Sequence, residues 1–310
     1  MKKEIIFEMT SPYRDKFRIQ AYQFGSGEPS VAIVGTMRGD EIHQQYICSQ
    51  IVNRLKSIER HNRICDGKSI LVIPSCNPFS LNVSRRFWAM DSTDINRMFP
   101  GYDKGETTQR IAAAIFKAVE KYEYGMQLSS FYIPGNFIPH VRMLDTGYQD
   151  NESAKLFGLP YVSTYKPKPF DTTLLNYNWQ IWNTKAFSIY GGETNTINPK
   201  NSEQTINAVL RFLFKIGVLN SDVSFPAYES VCFDETILTN LKAPQSGIFV
   251  RLKEAGENVK KGESIAKIID PYEGDVIEEI ISPINATVFF VYNKPLTLQN
   301  AILFKLLKQN

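Results

Sequence analysis

Short apolar runs and longer segments of helical periodicity alternate along the first part of the chain. Val31 to Val34 and Ile70 to Pro74 are continuous apolar runs, typical of strands buried on both faces of a parallel sheet. Between them, apolar residues recur every three or four positions from Ile42 to Ile58, which predicts an amphipathic helix. The first 75 residues therefore predict a β-α-β unit of an α/β fold.

The same patterns predict the rest of this α/β part. Residues 5–24 alternate loosely around Ser11-Pro12-Tyr13 and predict an edge hairpin. Further helices are predicted over 107–122 and 202–216, and further strands over 125–131 and 186–190. The region 132–185 carries five prolines and is predicted to be mainly loop, with one short helix near 152–157. Trp179 and Trp182 in this region are expected either to wall a pocket or to pack a lid.

From about residue 222 the pattern changes to short alternating strands with regularly spaced turns, which predicts a small all-β module. We therefore divide the chain into an α/β domain over 1–222 and a C-terminal β domain over 223–310. The second is similar to the barrel-sandwich domains that carry biotin or lipoate on a hairpin lysine. The corresponding turn, 270–275, contains no lysine, so we expect neither biotin nor lipoate here.

Composition excludes several classes of function. With 43% hydrophobic and 22% charged residues and a net charge of +3, the chain lacks the dense basic runs of a nucleic-acid-binding protein. No apolar run reaches membrane-spanning length, acidic residues interrupt the first eight residues too early for a signal peptide, and no C-x-x-C spacing occurs. We expect a cytoplasmic protein that binds neither nucleic acid nor a membrane; self-association into a homo-oligomer is left open.

Charged residues gather at two predicted loops. The turn from Gly35 to Glu41 delivers Arg38 and Glu41 to the end of a strand, where ligands bind in open α/β sheets. The long segment 84–101 is rich in turns, amides and arginines, and loops of this length in compact proteins are usually functional. The alternative interpretation is that these charges only solvate loops and a helix terminus.

These residues also carry a family resemblance. The chain resembles the succinylglutamate desuccinylase/aspartoacylase family, a branch of the zinc carboxypeptidase-like hydrolases, over nearly its whole length. The similarity lies in the turn Gly35–Glu41, in Asn77-Pro78, in Asp94-Ile-Asn-Arg97 with the Phe-Pro-Gly that follows, in Glu193 after a strand, and in the C-terminal β module. The resemblance implies a mixed, mostly parallel sheet flanked by helices, with the active site at the strand ends.

Zinc is expected from the family, but the ligand set is incomplete. In the family, the first turn carries a zinc-binding His and Glu, and a second His follows on a later strand. Here Arg38 stands at the first histidine position and Ser129 most naturally at the second, so only Glu41 remains. A catalytic zinc normally has three protein ligands. The guanidinium of Arg38 is instead predicted to pair with Glu41 and to put a fixed positive charge in the place of the metal.

The other histidines are weak substitutes as zinc ligands. His43 is expected to point to another face of its helix, and His61 is expected to be exposed in a polar turn. His140 lies in a loop that could approach the site and rebuild a zinc site with Glu41, although a structural role is the commoner outcome for such a histidine.

The resemblance assigns roles to four further residues. Asn96 and Arg97, with Arg38, would bind a substrate carboxylate, for which a planar guanidinium is well suited. Arg86 would polarise the scissile carbonyl or bind a second anionic group, and Glu193 would be the general base. The alternatives are salt-bridged loops for the two arginines Arg86 and Arg97 and a solvated acid for Glu193.

Two functional hypotheses follow. The first is a hydrolase that cleaves the amide bond of a small N-acyl amino acid or a related carboxylate-bearing substrate. The second is a metal-free pseudoenzyme that binds a small carboxylate without hydrolysing it. In both, the partner is a small carboxylate-bearing molecule.

Overall fold

The computed structural model describes residues 1–11, 14–220 and 226–309. Its helices are α1 (Ile42–Arg60), α2 (Pro78–Asn82), α3 (Thr107–Val119), α4 (Asn151–Lys155), α5 (Leu175–Ile181) and α6 (Pro199–Lys215). Three 3-10 helices cover Ile95–Arg97, Pro169–Asp171 and Glu235–Ile237. No helix among the described residues is long and apolar enough to cross a membrane.

The strands of the first part are β1 (Lys2–Ser11), β2 (Arg14–Gly25), β3 (Gly27–Thr36), β4 (Gly67–Ser75), β5 (Tyr124–Ser129), β6 (Gly135–Phe137), β7 (His140–Leu144), β8 (Tyr161–Tyr165) and β9 (Lys185–Tyr190). Those that follow are β10 (Val231–Asp234), β11 (Thr239–Lys242), β12 (Gly247–Arg251), β13 (Asn258–Val259), β14 (Ser264–Ile269), β15 (Val276–Ile281), β16 (Ala286–Tyr292), β17 (Leu296–Thr297) and β18 (Ile302–Lys308).

A nine-stranded sheet forms the centre of the molecule, in the order β1-β2-β4-β3-β5-β9-β7-β8-β10. Five of its pairings are parallel (β4-β3, β3-β5, β5-β9, β7-β8 and β8-β10), and the other three are antiparallel. The run Val31 to Val34 has no exposed surface in β3, as expected for a strand covered on both faces. The prediction of a mixed, mostly parallel sheet is confirmed.

Helices cover both faces of this sheet because each carries one apolar stripe. Ile51 of α1 and Phe212 of α6 contribute to the core on one face. Ile111 of α3 and Trp179 of α5 contribute to the core on the other. The predicted hairpin is present as the antiparallel pair β1-β2, while Pro12 and Tyr13 of its turn lie outside the described residues.

The region 132–185, which the sequence predicted to be mainly loop, contains several short strands and helices. It contributes β7 and β8 to the central sheet, as well as α4 and α5, because its prolines lie between these short elements rather than inside them. Trp179 is fully buried against β5, where a Cβ at Gly125 would lie 2.7 Å from the indole ring. Trp182 is half exposed and packs edge-on against Phe116 of α3. Trp179 is therefore a core residue rather than a pocket or lid residue.

The C-terminal strands form two antiparallel sheets, as the all-β pattern predicted: β11-β18-β16-β13 and β15-β14-β12-β17. Each part of the chain also contributes one strand that pairs with a sheet of the other part, and we call this pairing a strand exchange. β10 joins the edge of the central sheet beside β8, and β6 pairs with β16. The predicted boundary between residues 222 and 223 lies outside the described residues. This exchange brings β18 close to the end of the central sheet.

Candidate functional site

Four hydrogen bonds hold Glu41, three from the turn between β3 and α1 and one from Ser130, which follows β5. Its Oε2 accepts the backbone N–H groups of Met37 (3.3 Å) and Arg38 (3.1 Å). Its Oε1 accepts from Nη1 of Arg38 (3.3 Å) and from the hydroxyl of Ser130 (2.8 Å). Gly39 permits this tight turn, since a Cβ there would lie 2.4 Å from the carbonyl oxygen of Arg85. The carboxylate is 1% exposed and its acceptor positions are filled by the protein.

Arg38 is the cation of this turn. Besides Glu41, it contacts Asp94, whose Oδ2 accepts from Nε at 3.2 Å and from Nη2 at 2.8 Å. Burial disfavours the charged form, but the charges of Asp94 and Glu41 outweigh burial and raise the pKa of Arg38. These bonds use three of the five guanidinium N–H groups, which leaves two for a molecule in front of the turn.

These residues do not fit a zinc ion. Among the residues that the structure describes, no group of three His, Cys, Asp or Glu side chains could hold a metal. A bound zinc on Glu41 would have to displace Arg38 or Ser130, and neither can replace a histidine as a zinc ligand. The sequence placed Ser129 at the second histidine position, but it is Ser130 whose hydroxyl contacts Glu41.

The three histidines have structural environments. His43 is buried, with Nε2 bonded to the carbonyl of Gly191 (2.9 Å), and burial lowers its pKa. His61 is exposed, as predicted, and its Nδ1 donates to a carbonyl of the preceding helix. His140 is fully buried among aromatic rings; its Nδ1 donates to a carbonyl at 2.7 Å, and burial lowers its pKa to about 4. A zinc site built from Glu41 and His140 therefore has no support in this arrangement.

A cavity of about 590 Å³ opens in front of Arg38, where β5 and β9 end. We call it the basic cavity, because its wall carries six basic residues and three acidic residues in the described part of the chain. The basic residues are Arg38, Arg97, Arg142, Lys166, Lys168 and Lys305, and the acidic ones are Asp171, Asp234 and Glu235. Such an excess of basic side chains attracts small anions.

Asn96 and Arg97, for which the resemblance implied carboxylate binding, lie on the wall of the basic cavity. Asp94 caps the 3-10 helix that carries them by accepting the backbone N–H of Asn96 at 3.1 Å. The side-chain carbonyl of Asn96 accepts from Gln127 (3.1 Å), which leaves its amide nitrogen as the remaining donor. Arg97 donates through Nη1 to Asp171 at 2.9 Å and lies 5.0 Å from the ring centroid of Phe170.

Arg86 is paired at the edge of this region. It donates to Asp40 at 2.9 Å and to the backbone carbonyl of Phe131 at 3.2 Å. Its guanidinium also contacts the ring of Tyr132, which is itself on the wall of the basic cavity. Arg86 is not among the residues that line the cavity.

Glu193 lies on a different cavity, of about 690 Å³, together with Asn136 and Arg251. Burial raises the pKa of its carboxyl to about 7, and a hydrogen bond from Asn198 at 3.4 Å opposes this increase. The structure thus brings Arg38, Asn96 and Arg97 together, with Glu41 behind Arg38, and does not bring Glu193 to the same wall.

Sequence reasoning missed a second basic group on the wall of the basic cavity, formed by Arg142 and Lys305. Arg142 donates through Nε and Nη2 to the two carboxylate oxygens of Glu235 and through Nη1 to the hydroxyl of Tyr190 at 3.1 Å. Its guanidinium lies 3.7 Å from the ring centroid of Tyr165. Lys305 reaches the same wall from β18. The only local signal was the alternation of the five residues of β7, too short to distinguish from loop.

Comparison with known proteins gives two matches at the level of sequence. The profile of the succinylglutamate desuccinylase/aspartoacylase catalytic domain matches residues 27–215. The N-alpha-acetyl-L-2,4-diaminobutyric acid deacetylase of Halomonas elongata is 23% identical over 252 residues, covering 78% of this chain and 71% of that protein. A similar protein is thus a deacylase of an N-acyl amino acid.

Solved structures share the fold. A succinylglutamate desuccinylase from Silicibacter sp. TM1040 superposes with a TM-score of 0.81 at 16% identity, covering 99% of this chain and 95% of that one. The product-bound ectoine utilization protein EutE (DoeB) from Ruegeria pomeroyi gives a TM-score of 0.79 at 15% identity, with 95% and 90% covered. The fold is therefore that of the zinc carboxypeptidase-like proteins, as the resemblance implied.

Proposed function

Because the chain belongs to the succinylglutamate desuccinylase/aspartoacylase family, we propose that its basic cavity binds a small carboxylate-bearing molecule of the N-acyl amino acid class. Arg38, Asn96 and Arg97 bind the carboxylate, and no zinc ion takes part. The observation that carries this proposal is the pairing of Glu41 with Arg38 and Ser130, which fills the place of a metal with a guanidinium.

Charge and hydrogen-bond geometry support a carboxylate as the bound group. Arg38 retains two N–H groups, Asn96 retains its amide nitrogen, and Arg97 uses only Nη1 for Asp171 and a neighbouring carbonyl. Guanidinium groups bind carboxylates in a planar, two-donor arrangement, and such charge-assisted bonds are about twice as strong as neutral ones. The similar proteins are named for N-acetyl-diaminobutyrate and succinylglutamate, both N-acylated amino acids.

The test is calorimetric titration of the protein with a panel of N-acetyl and N-succinyl amino acids. Arg97→Ala is expected to weaken binding about 10- to 100-fold, since a hydrogen bond to a charged group contributes about 1.5–3 kcal/mol. Arg54→Ala serves as the matched control, because Arg54 forms an exposed pair with Glu203 away from the cavity. Failure of every N-acyl amino acid to bind the wild-type chain would refute the proposal.

Hydrolysis of the amide bond is the second candidate function. It is supported by the deacylase activity for which the relatives are named, and by Glu193, whose pKa of about 7 suits a general base. Glu193 lies on the other cavity, so the geometry supports binding more strongly than cleavage. Release of a free amino acid that is abolished in Glu193→Gln would establish hydrolysis; binding without release would exclude it for the compounds tested.

A further inference from the structure

Lys305 lies on the wall of the basic cavity, and its acidic neighbour, Glu235, is paired with Arg142. It extends from β18, and the acidic residue whose charge reaches it is Glu235. Both carboxylate oxygens of Glu235 accept from Arg142, and one also accepts from the hydroxyl of Ser163 at 3.2 Å. In the described part of the chain, Lys305 therefore forms no salt bridge.

Burial acts against the charged form of Lys305 and lowers its pKa. Its Nζ lies 5.0 Å from the ring centroid of Phe131, whose π face attracts the ammonium form and opposes part of this decrease. Among the charged groups around it, Glu235 opposes this decrease and Arg142 adds to it. His140, which also packs against Phe131, has a pKa of about 4 and is neutral near pH 7. An amine that is desolvated or adjacent to another cation is the usual form of a nucleophilic lysine in enzymes.

We propose that Lys305 forms an imine with the carbonyl carbon of a small oxo acid held in the basic cavity. The carboxylate of that acid binds Arg38, Asn96 and Arg97, so this inference rests on the proposed function for its ligand class. Lys305 and these three residues line one cavity, which places a lysine amine without a salt bridge in the same space as the proposed carboxylate site.

The reaction is a reversible condensation without oxidation or reduction. The lone pair of Nζ attacks the carbonyl carbon and forms a C–N bond, and an N–H proton passes to the former carbonyl oxygen. The resulting hydroxyl takes the second N–H proton and leaves as water while the C=N bond forms. Hydrolysis by the reverse steps returns the free amine and the oxo acid.

The experiment is trapping with pyruvate and sodium cyanoborohydride near neutral pH, followed by intact-mass measurement and peptide mapping of the full chain. One reduced pyruvate adduct per chain is expected, located on Lys305 and lost in Lys305→Arg. Lys168→Arg is the matched control, because Lys168 lines the same cavity, and it is expected to retain the adduct. Melting curves of both variants verify that they are folded.

Two further arms separate this inference from the proposed function. Acetone, which is a ketone like pyruvate but has no carboxylate, should modify Lys305 only at higher concentration than pyruvate, and Arg97→Ala should reduce that difference. An N-acetyl amino acid that binds in calorimetry should protect Lys305 from pyruvate. The imine proposal would be overturned if the adducts are spread over surface lysines, or if Lys305→Arg forms as much adduct as wild type, even when N-acyl amino acids bind. If no N-acyl amino acid binds in calorimetry, the proposed function is refuted instead.

Discussion

Replacing Arg38 by Met should destabilise the fold far more than replacing a surface arginine. Arg38 is 7% exposed and donates three side-chain hydrogen bonds to Glu41 and Asp94, which are themselves largely buried. Removing one partner of a buried ion pair typically costs about 3–5 kcal/mol, because the remaining charge stays buried without compensation.

The surviving contacts place the expected cost at the lower end of that range. Glu41 keeps two backbone N–H donors and the hydroxyl of Ser130, and Asp94 keeps the backbone N–H of Asn96. We therefore expect a loss of about 3 kcal/mol in the free energy of unfolding. At roughly 2 °C per kcal/mol for a chain of this size, the Tm should fall by about 6 °C.

Denaturation in urea, followed by circular dichroism and tryptophan fluorescence, measures this loss. Arg54→Met is the control, because the exposed pair of Arg54 and Glu203 should contribute less than about 1 kcal/mol. Equal effects of the two substitutions would refute the interpretation of Arg38 as the charge that compensates Glu41.

Three smaller predictions concern other buried residues. The pKa of Glu193 rises from 4.5 to about 7 on folding, so this carboxyl should make the protein lose stability as pH increases over that interval. Glu193→Gln should remove this contribution. A pH dependence of the free energy of unfolding that is the same in Glu193→Gln and in wild type would contradict the prediction. The pKa of His140 falls from 6.5 to about 4 on folding, so acid should favour the unfolded chain. Between about pH 7 and about pH 5, the free energy of unfolding of wild type, measured by urea titration, should fall by about 2 kcal/mol more than that of His140→Phe. Gly125→Ala should lower the free energy of unfolding by about 1–3 kcal/mol through its clash with Trp179, whereas a neutral effect would show that the indole ring can move.

Local patterns predicted the elements whose signal extends over many residues. The helix from Ile42 to Ile58 and the strand around Val31 to Val34 were predicted because each buries a regular set of apolar side chains. The strands β7 and β8 were missed because five-residue strands flanked by prolines give no periodicity that differs from loop. Their place in the sheet depends on pairing with distant strands, which a local pattern does not contain.

The site was predictable to a similar degree. The position of Arg38 against Glu41 followed from three-residue spacing in one turn. Asn96 and Arg97 were singled out by the family motif and line the same cavity as Arg38, while their binding role stays a prediction. Lys305 and Arg142 were missed, since they meet only through the approach of β18 to the central sheet. The separation of Glu193 from the basic cavity could not be predicted from the sequence either, because the cavity that Glu193 lines is formed with residues distant in the chain, such as Asn136 and Arg251.

The zinc content of the protein tests the central claim most directly. The chain, purified without a metal-binding tag, is loaded with zinc, desalted and measured by inductively coupled plasma mass spectrometry, in parallel with Glu41→Ala. If Arg38 stands in the place of the metal, zinc should remain far below one equivalent per chain and should be the same in both proteins. One retained zinc per chain that is lost in Glu41→Ala would contradict this account.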